Sequence, residues 1–150
     1  MSKRINKESI LRASEIKQQL QIEDFEKEIS ALKKEIYAHS ETPSQGDSSA
    51  AERTEVLQRY ESELGFLKDE LDFLDRIDTD SEISEIGMGA VVITDKKNFF
   101  VSVSIEQVEV NGIDFFGLST KAPIFQVMRG KKSGENFDFN GIHYKIKDVY

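Results

Sequence analysis

Apolar residues in the first half of the chain recur every three or four positions. Ile22, Phe25, Ile29, Leu32 and Ile36 step by 3, 4, 3 and 4, with polar residues filling the intervals. That spacing is the apolar seam of a coiled-coil helix. Upstream, Ile10, Leu11, Ile16 and Leu20 are apolar at looser spacing, and neither Pro nor Gly interrupts Glu8 to Ala38. Pro43 and Gly46 break the pattern. Beyond them Leu57, Tyr60, Leu64, Leu67, Leu71 and Leu74 step by 3, 4, 3, 4 and 3. Two matched seams joined by a short polar turn predict an antiparallel helical hairpin over residues 1–80, with its tip near 40–50. Thirty helical residues make a rod of roughly 45 Å. Neither helix can bury its stripe alone, and each seam residue removed from water contributes about 1.5–3 kcal/mol. Helices from two chains could satisfy the same stripes, but a Pro-Gly turn between matched seams favours pairing within one chain.

Around Asp78 the period changes. "DRIDTDSEISE" (75–85) is acidic and weakly apolar and reads as a connector. From 84 to 150 the pattern is period two: "AVVIT" (90–94), "FFVSVSI" (99–105), "VEV" (108–110), "IDFFGLS" (113–119), and "NFDF" and "HYKIK" near the end. "NGI" at 111–113 and "FNGI" at 139–142 carry Asn-Gly pairs suited to tight hairpins. In "KAPIFQVMRG", Pro123 suits a first helical turn, Ile124 and Met128 share a face, and Gly130 suits the position past the helix end. The prediction is an α+β chain: a helical hairpin, then an antiparallel sheet with one short helix on it.

Composition narrows the function classes. Residues 1–80 carry 12 Lys+Arg against 19 Asp+Glu, net −7, while residues 81–150 carry 8 against 9, net −1. An acidic rod argues against duplex nucleic acid as a direct partner, because phosphate binding needs clustered cations. It permits a basic protein surface or a cation. The chain has no cysteine, which excludes disulfides, thiolate metal sites and cysteine nucleophiles. "MSKRINKE" has no apolar run after its basic residues and no stretch approaches a membrane span, so the expected setting is the cytoplasm, without a membrane.

The residues that could carry chemistry are few. Glu52 and Glu55 in "ERTE" are three apart, so on a helix their carboxylates share a face and could reach one ion. Glu52 also fits a capping box opened by Ser49, and both readings stand at this point. Asp47 is a reserve candidate whose ordinary role is turn formation after Gly46. Asp78, Asp80 and Glu82 faintly match a calcium loop, but Ile83 occupies the position where such a loop needs glycine. "RGKKSG" lacks the earlier glycine of a phosphate loop, since position 125 is Phe125. His39 and His143 are far apart and lack ligand spacing. Phe99, Phe100, Phe115 and Phe116 read as core pairs with one ring on each sheet face.

The hairpin followed by "LSTKAPIFQVMRGKKSGENFDFNGIHYKIKDV" resembles the Gre-factor family, GreA and GreB, bacterial transcription elongation and transcript-cleavage factors. Ser119, Pro123, Ile124, Gly130, Lys131 and Gly134 match the family's pattern, whereas Ala122, Met128 and Glu135 depart from it. The resemblance implies an FKBP-like C-terminal domain that binds the rim of the RNA polymerase secondary channel. Ser119, Pro123, Ile124, Gly130 and Lys131 would then be the polymerase-binding residues. It implies a hairpin whose acidic tip enters the channel beside the nascent RNA 3′ end, where Arg53 and Arg59 could approach it. It further implies carboxylates that help hold a Mg2+ shared with the polymerase. Such a factor is not itself an enzyme. Family tips read Asp-x-x-Glu, then Asn and Tyr; Glu52 and Glu55 keep the spacing, while Val56 replaces the Asn and Tyr60 falls one residue late. The alternatives are a non-cleaving regulator that occupies the secondary channel of RNA polymerase, and a structural coiled-coil protein with an unrelated partner.

Overall fold

The computed structural model describes residues 3–40 and 49–150. Pro43, Gly46, Asp47 and the Ser49 side chain therefore lie outside the described residues, as does the His39 side chain. Contact density divides the chain into two compact units: Gln18–Asp72, and the chain up to Lys17 together with Phe73–Tyr150. The sequence-based division into 1–80 and 84–150 follows kinds of element, and contact density follows packing.

Helix α1 (Lys7–Ser40) and helix α2 (Ser49–Asp75) are the two predicted helices. Asn6 opens α1, its side-chain oxygen accepting from the Ser9 amide at 3.1 Å, which satisfies one orphan donor of the first turn. Within Gln18–Asp72 the seams meet. Ile22, Ile29 and Leu67 are buried; Phe25, Leu32, Ile36, Leu57, Tyr60, Leu64 and Leu71 are half-buried. Phe25 and Tyr60 meet edge to face, with ring centres 5.8 Å apart. Lys33 pairs with Glu61 at 3.4 Å and Lys68 with Glu26 at 4.0 Å, so numbers rise along one helix as they fall along the other. Exposed ion pairs of this kind contribute about 0–1 kcal/mol each, so burial of the seam holds the antiparallel pair together.

The other unit contains six strands: β1 (Val91–Thr94), β2 (Asn98–Ser102), β3 (Ile105–Val110), β4 (Ile113–Ser119), β5 (Asn136–Phe139) and β6 (Ile142–Val149), with α3 (Pro123–Met128) between β4 and β5. Their spatial order is β3-β4-β2-β1-β6-β5. Both Asn-Gly hairpins form as predicted. Asn111 and Gly112 have φ of 53° and 79°, Asn140 and Gly141 have 50° and 76°, and the flanking pairs are Val110 with Ile113 and Phe139 with Ile142.

Two sequence expectations are corrected. "FFVSVSI" is not one strand, because the chain breaks after Ser102 and restarts at Ile105 as the edge strand β3. The sheet is consequently mixed rather than wholly antiparallel: β4 returns from β3 and slots in parallel to β2, Phe99 opposite Phe116 and Ser102 opposite Ser119. Gly117 makes this crossing possible. A Cβ there would stand 2.5 Å from the Val103 carbonyl oxygen and 2.9 Å from the Ile105 nitrogen.

Val92, Phe99, Val101 and Leu118 on one sheet face pack with Phe125 and Met128 of α3 and with Phe137, Tyr144 and Ile146. Phe137 and Tyr144 stack at 4.7 Å. Adjacent phenylalanines do divide between the faces. Phe100 and Phe115 face away from this core and are also fully buried, in the unit that supplies buried Ile5, Ile10, Leu11 and Leu74. The opening turns of α1 thus pack with the sheet unit, and their apolar spacing differs from the seam for that reason. Ile16 and Leu20 are exposed, at 62% and 53%. No helix among the described residues is long and apolar enough to cross a membrane.

Candidate functional site

Glu52 and Glu55 lie in the first two turns of α2, both exposed. Between them Arg53 turns the other way. Its side chain is 21% exposed, its Nε lies 3.8 Å from Glu35 of α1, and its Nη1 is buried with no hydrogen-bond partner among the described residues. The helix therefore sorts these three charges by face, with Arg53 toward α1 and the two carboxylates toward solvent. Val56 is half-buried, and Tyr60 is held edge-on by Phe25. Tyr60 belongs to the seam and Val56 flanks it, so both are withdrawn from the acidic face. Glu55 also lines an open groove along α2 with Gln58, Arg59, Ser62 and Glu63, so a cation flanks the acids there. A carboxylate near a helix N-terminus is favoured by the helix dipole, which suits Glu52 either as a cap or as a ligand.

No group of three or more His, Asp or Glu among the described residues is arranged to hold a metal ion. Magnesium takes a near-octahedral shell of six oxygens. Two exposed carboxylates one turn apart supply part of that shell, so they fit an ion completed from another surface.

The second set of predicted residues forms one continuous segment. The Ser119 hydroxyl accepts from the Lys121 amide at 3.1 Å, and the Ser119 carbonyl accepts from the Ala122 amide at 3.0 Å. Pro123 starts α3, where its missing N–H is harmless. Phe125 and Met128 bury the inner face, Ile124 packs at the core's margin, and Pro123, Gln126 and Val127 face outward. Gly130, at φ 77°, closes the helix and donates to the Ile86 carbonyl at 2.8 Å; the Ile86 amide donates to Lys131 at 2.8 Å. The Glu135 carboxylate accepts from the Lys132 amide at 3.0 Å. The structure thus brings Ser119, Pro123, Ile124, Gly130 and Lys131 together on a hydrogen-bonded turn-helix-turn. Lys121, Arg129, Lys131 and Lys132 make it locally cationic in a chain of net charge −8.

Sequence reasoning missed a polar layer in the helices. Ser14 and Gln18 are buried at 1% and 0% exposure, each four residues from the next buried position toward Ile22. The Gln18 amide donates to the Leu67 carbonyl at 3.0 Å and to Glu70 at 3.2 Å. Burial raises the Glu70 pKa, partly offset by that donation. Glu15 shares a hydrogen bond with Asp75, which together with burial pushes Glu15 up to about 7. The signal was present: a polar residue falling on the seam. In the connector, the Asp78 carboxylate accepts from the Ser81 hydroxyl and from the Asp80 and Ser81 amides, which holds its pKa down. His143 pairs with Asp138 at 2.6 Å on the surface of the β5–β6 hairpin.

No family model and no curated protein matches the chain. Among solved structures, it is similar to GreA factor homolog 1 (Gfh1) of Thermus thermophilus, at 17% identity and a TM-score of 0.39, covering 92% of this chain and 95% of that one. It is also similar to Gfh1 of Thermus aquaticus, at 17% identity and a TM-score of 0.33, covering 93% and 95%.

Proposed function

We propose that this chain is a Gre-like accessory factor of bacterial RNA polymerase. In this reading the α3 segment binds the rim of the secondary channel, the helical hairpin enters it, and Glu52 and Glu55 promote cleavage of backtracked RNA. One observation carries the reading: two long helices pair antiparallel, and the returning helix exposes two carboxylates on one face in its opening turns. The resemblance of Ser119–Glu135 to the Gre pattern supports it, as does the cationic α3 segment suited to an acidic docking surface.

The chemistry assigned to the pair is limited. Glu52 and Glu55 would donate oxygens to a Mg2+ shared with the polymerase, which supplies the Lewis acid that activates water for phosphodiester hydrolysis. Their own work is to place negative charge and orient water beside the RNA 3′ end. Arg53, turned toward Glu35, stiffens the helix pair behind them. The factor has no catalytic centre of its own in this reading, and its setting is the cytoplasm.

The test is a backtracked elongation complex with end-labelled RNA. Adding the protein should shorten the transcript. Glu52→Gln combined with Glu55→Gln should remove that activity while polymerase binding persists. Binding without shortening by the parent would identify a non-cleaving occupant of the secondary channel. Absence of any affinity for core polymerase would leave the scaffolding alternative.

A further inference from the structure

The segment Lys3 to Ile5 is fastened over one end of the sheet. The Tyr150 hydroxyl donates to the Ile5 carbonyl at 2.7 Å, and the Arg4 guanidinium makes two bonds to Asp148, at 2.8 and 2.9 Å. Arg4 also sits over the Tyr150 ring, 4.9 Å from its centre. Between this segment and the strands is a half-enclosed cavity of about 330 Å³. That is within the size range of small-ligand sites and equals roughly eleven water volumes.

Its lining is of two kinds. Ile93, Ile113 and Phe115 lie on the sheet face opposite α3, because Val92, Phe116 and Leu118 point to the α3 core and neighbouring positions alternate. Ile93 is half-buried and Ile113 is 41% exposed, so they form an apolar floor and lip, with the fully buried Phe115 packed behind them. Lys3 and Lys147 are exposed at the mouth. Neither ammonium has a partner among the described residues, and Arg4 already engages the nearby Asp148 carboxylate. Water gains little from such a floor, and two unneutralised cations beside it attract an anion. A ligand with an apolar body and one charged end satisfies both surfaces.

We propose that this cavity is a binding site for a small amphipathic anion, an aromatic or short alkyl body seated on Ile93 and Ile113 with its charged end between Lys3 and Lys147. The three ties of the N-terminal segment hold the site open before a ligand arrives, which lowers the ordering cost of binding. The site uses neither the acidic pair on α2 nor the α3 segment.

The full chain titrated with anilinonaphthalene sulfonate, an aromatic monoanion, should give saturable one-to-one binding by fluorescence. Lys3→Ala with Lys147→Ala should weaken it about tenfold, the scale of one charge-assisted hydrogen bond. Binding of the uncharged N-phenylnaphthylamine should be the same in parent and variant. Both lysines are exposed, so an unchanged thermal melt is expected and confirms that the variant folds. In the parent, methyl NMR signals of Ile93 and Ile113 should move during titration while that of Ile142, also exposed, stays fixed. Non-saturable binding, an unchanged affinity in the lysine variant, or methyl shifts at Ile142 instead would overturn the assignment.

Discussion

Replacing Gly117 by alanine adds one methyl group where β4 passes beneath the break between β2 and β3. Built on the backbone, that carbon meets the Val103 carbonyl oxygen at 2.5 Å, the Ile105 Cβ at 2.8 Å and the Ile105 nitrogen at 2.9 Å. Two of those three atoms are main chain, so no rotamer change relieves the overlap and the strand itself must move. Overpacking of this kind costs about 1–3 kcal/mol, and more where backbone must shift. For a chain of this length each kcal/mol lowers the melting temperature by about 2–4 °C, which puts the expected loss at about 2–12 °C. Gly65→Ala is the matched control. Gly65 is exposed in the interior of α2 with nothing within 4 Å of its added carbon. There alanine should stabilise the helix by about 1 kcal/mol. Thermal unfolding by circular dichroism reads both signs. Hydrogen exchange assigns them, with protection falling in β2 to β4 for one variant and rising in α2 for the other. A Gly117→Ala melt within a degree of the parent would mean that Val103 to Ile105 does not cross Gly117 in solution. The parallel pairing of β2 with β4 would then be wrong.

Leu67→Ala, at a seam position 3% exposed, should destabilise the helix pair by about 2–5 kcal/mol in urea unfolding, whereas Phe66→Ala, 56% exposed, should stay within about 0.5 kcal/mol. Glu15, with its folded pKa raised from 4.5 to about 7, binds more protons folded than unfolded between those values. Stability should therefore fall as pH rises from about 4.5 to 7, and Glu15→Gln should flatten that part of a melting-temperature profile; an identical slope in the variant would exclude the shared proton with Asp75. Under the proposed function, Arg129→Glu with Lys131→Glu should weaken polymerase binding at low salt by at least tenfold while leaving the melt unchanged, because these side chains sit outside the core.

The helix seams, both hairpin turns and α3 were legible because each depends on a short window. Seam spacing fixes which face of a helix is apolar, Asn-Gly supplies two consecutive positive φ angles, and Pro123 and Gly130 mark the ends of α3. Glu52 and Glu55 were legible as a pair for the same reason, since i and i+3 share a helix face whatever surrounds them. Which way Arg53 points between them was not. That depends on where Glu35 lies on α1, eighteen residues away in sequence and across the hairpin.

The remaining features were decided by tertiary structure. Gly117 gives no local signal of the main chain that crosses it, so the mixed sheet could not be read from alternation alone. Ile10 and Leu11 look like a faltering seam in the sequence, yet they are buried in the sheet unit. Glu15 and Asp75 read as ordinary surface polar residues until packing brings the two carboxyls together. Periodicity records what each segment must bury. It carries no record of which distant segment will cover it, because that choice rests on contacts between residues tens of positions apart.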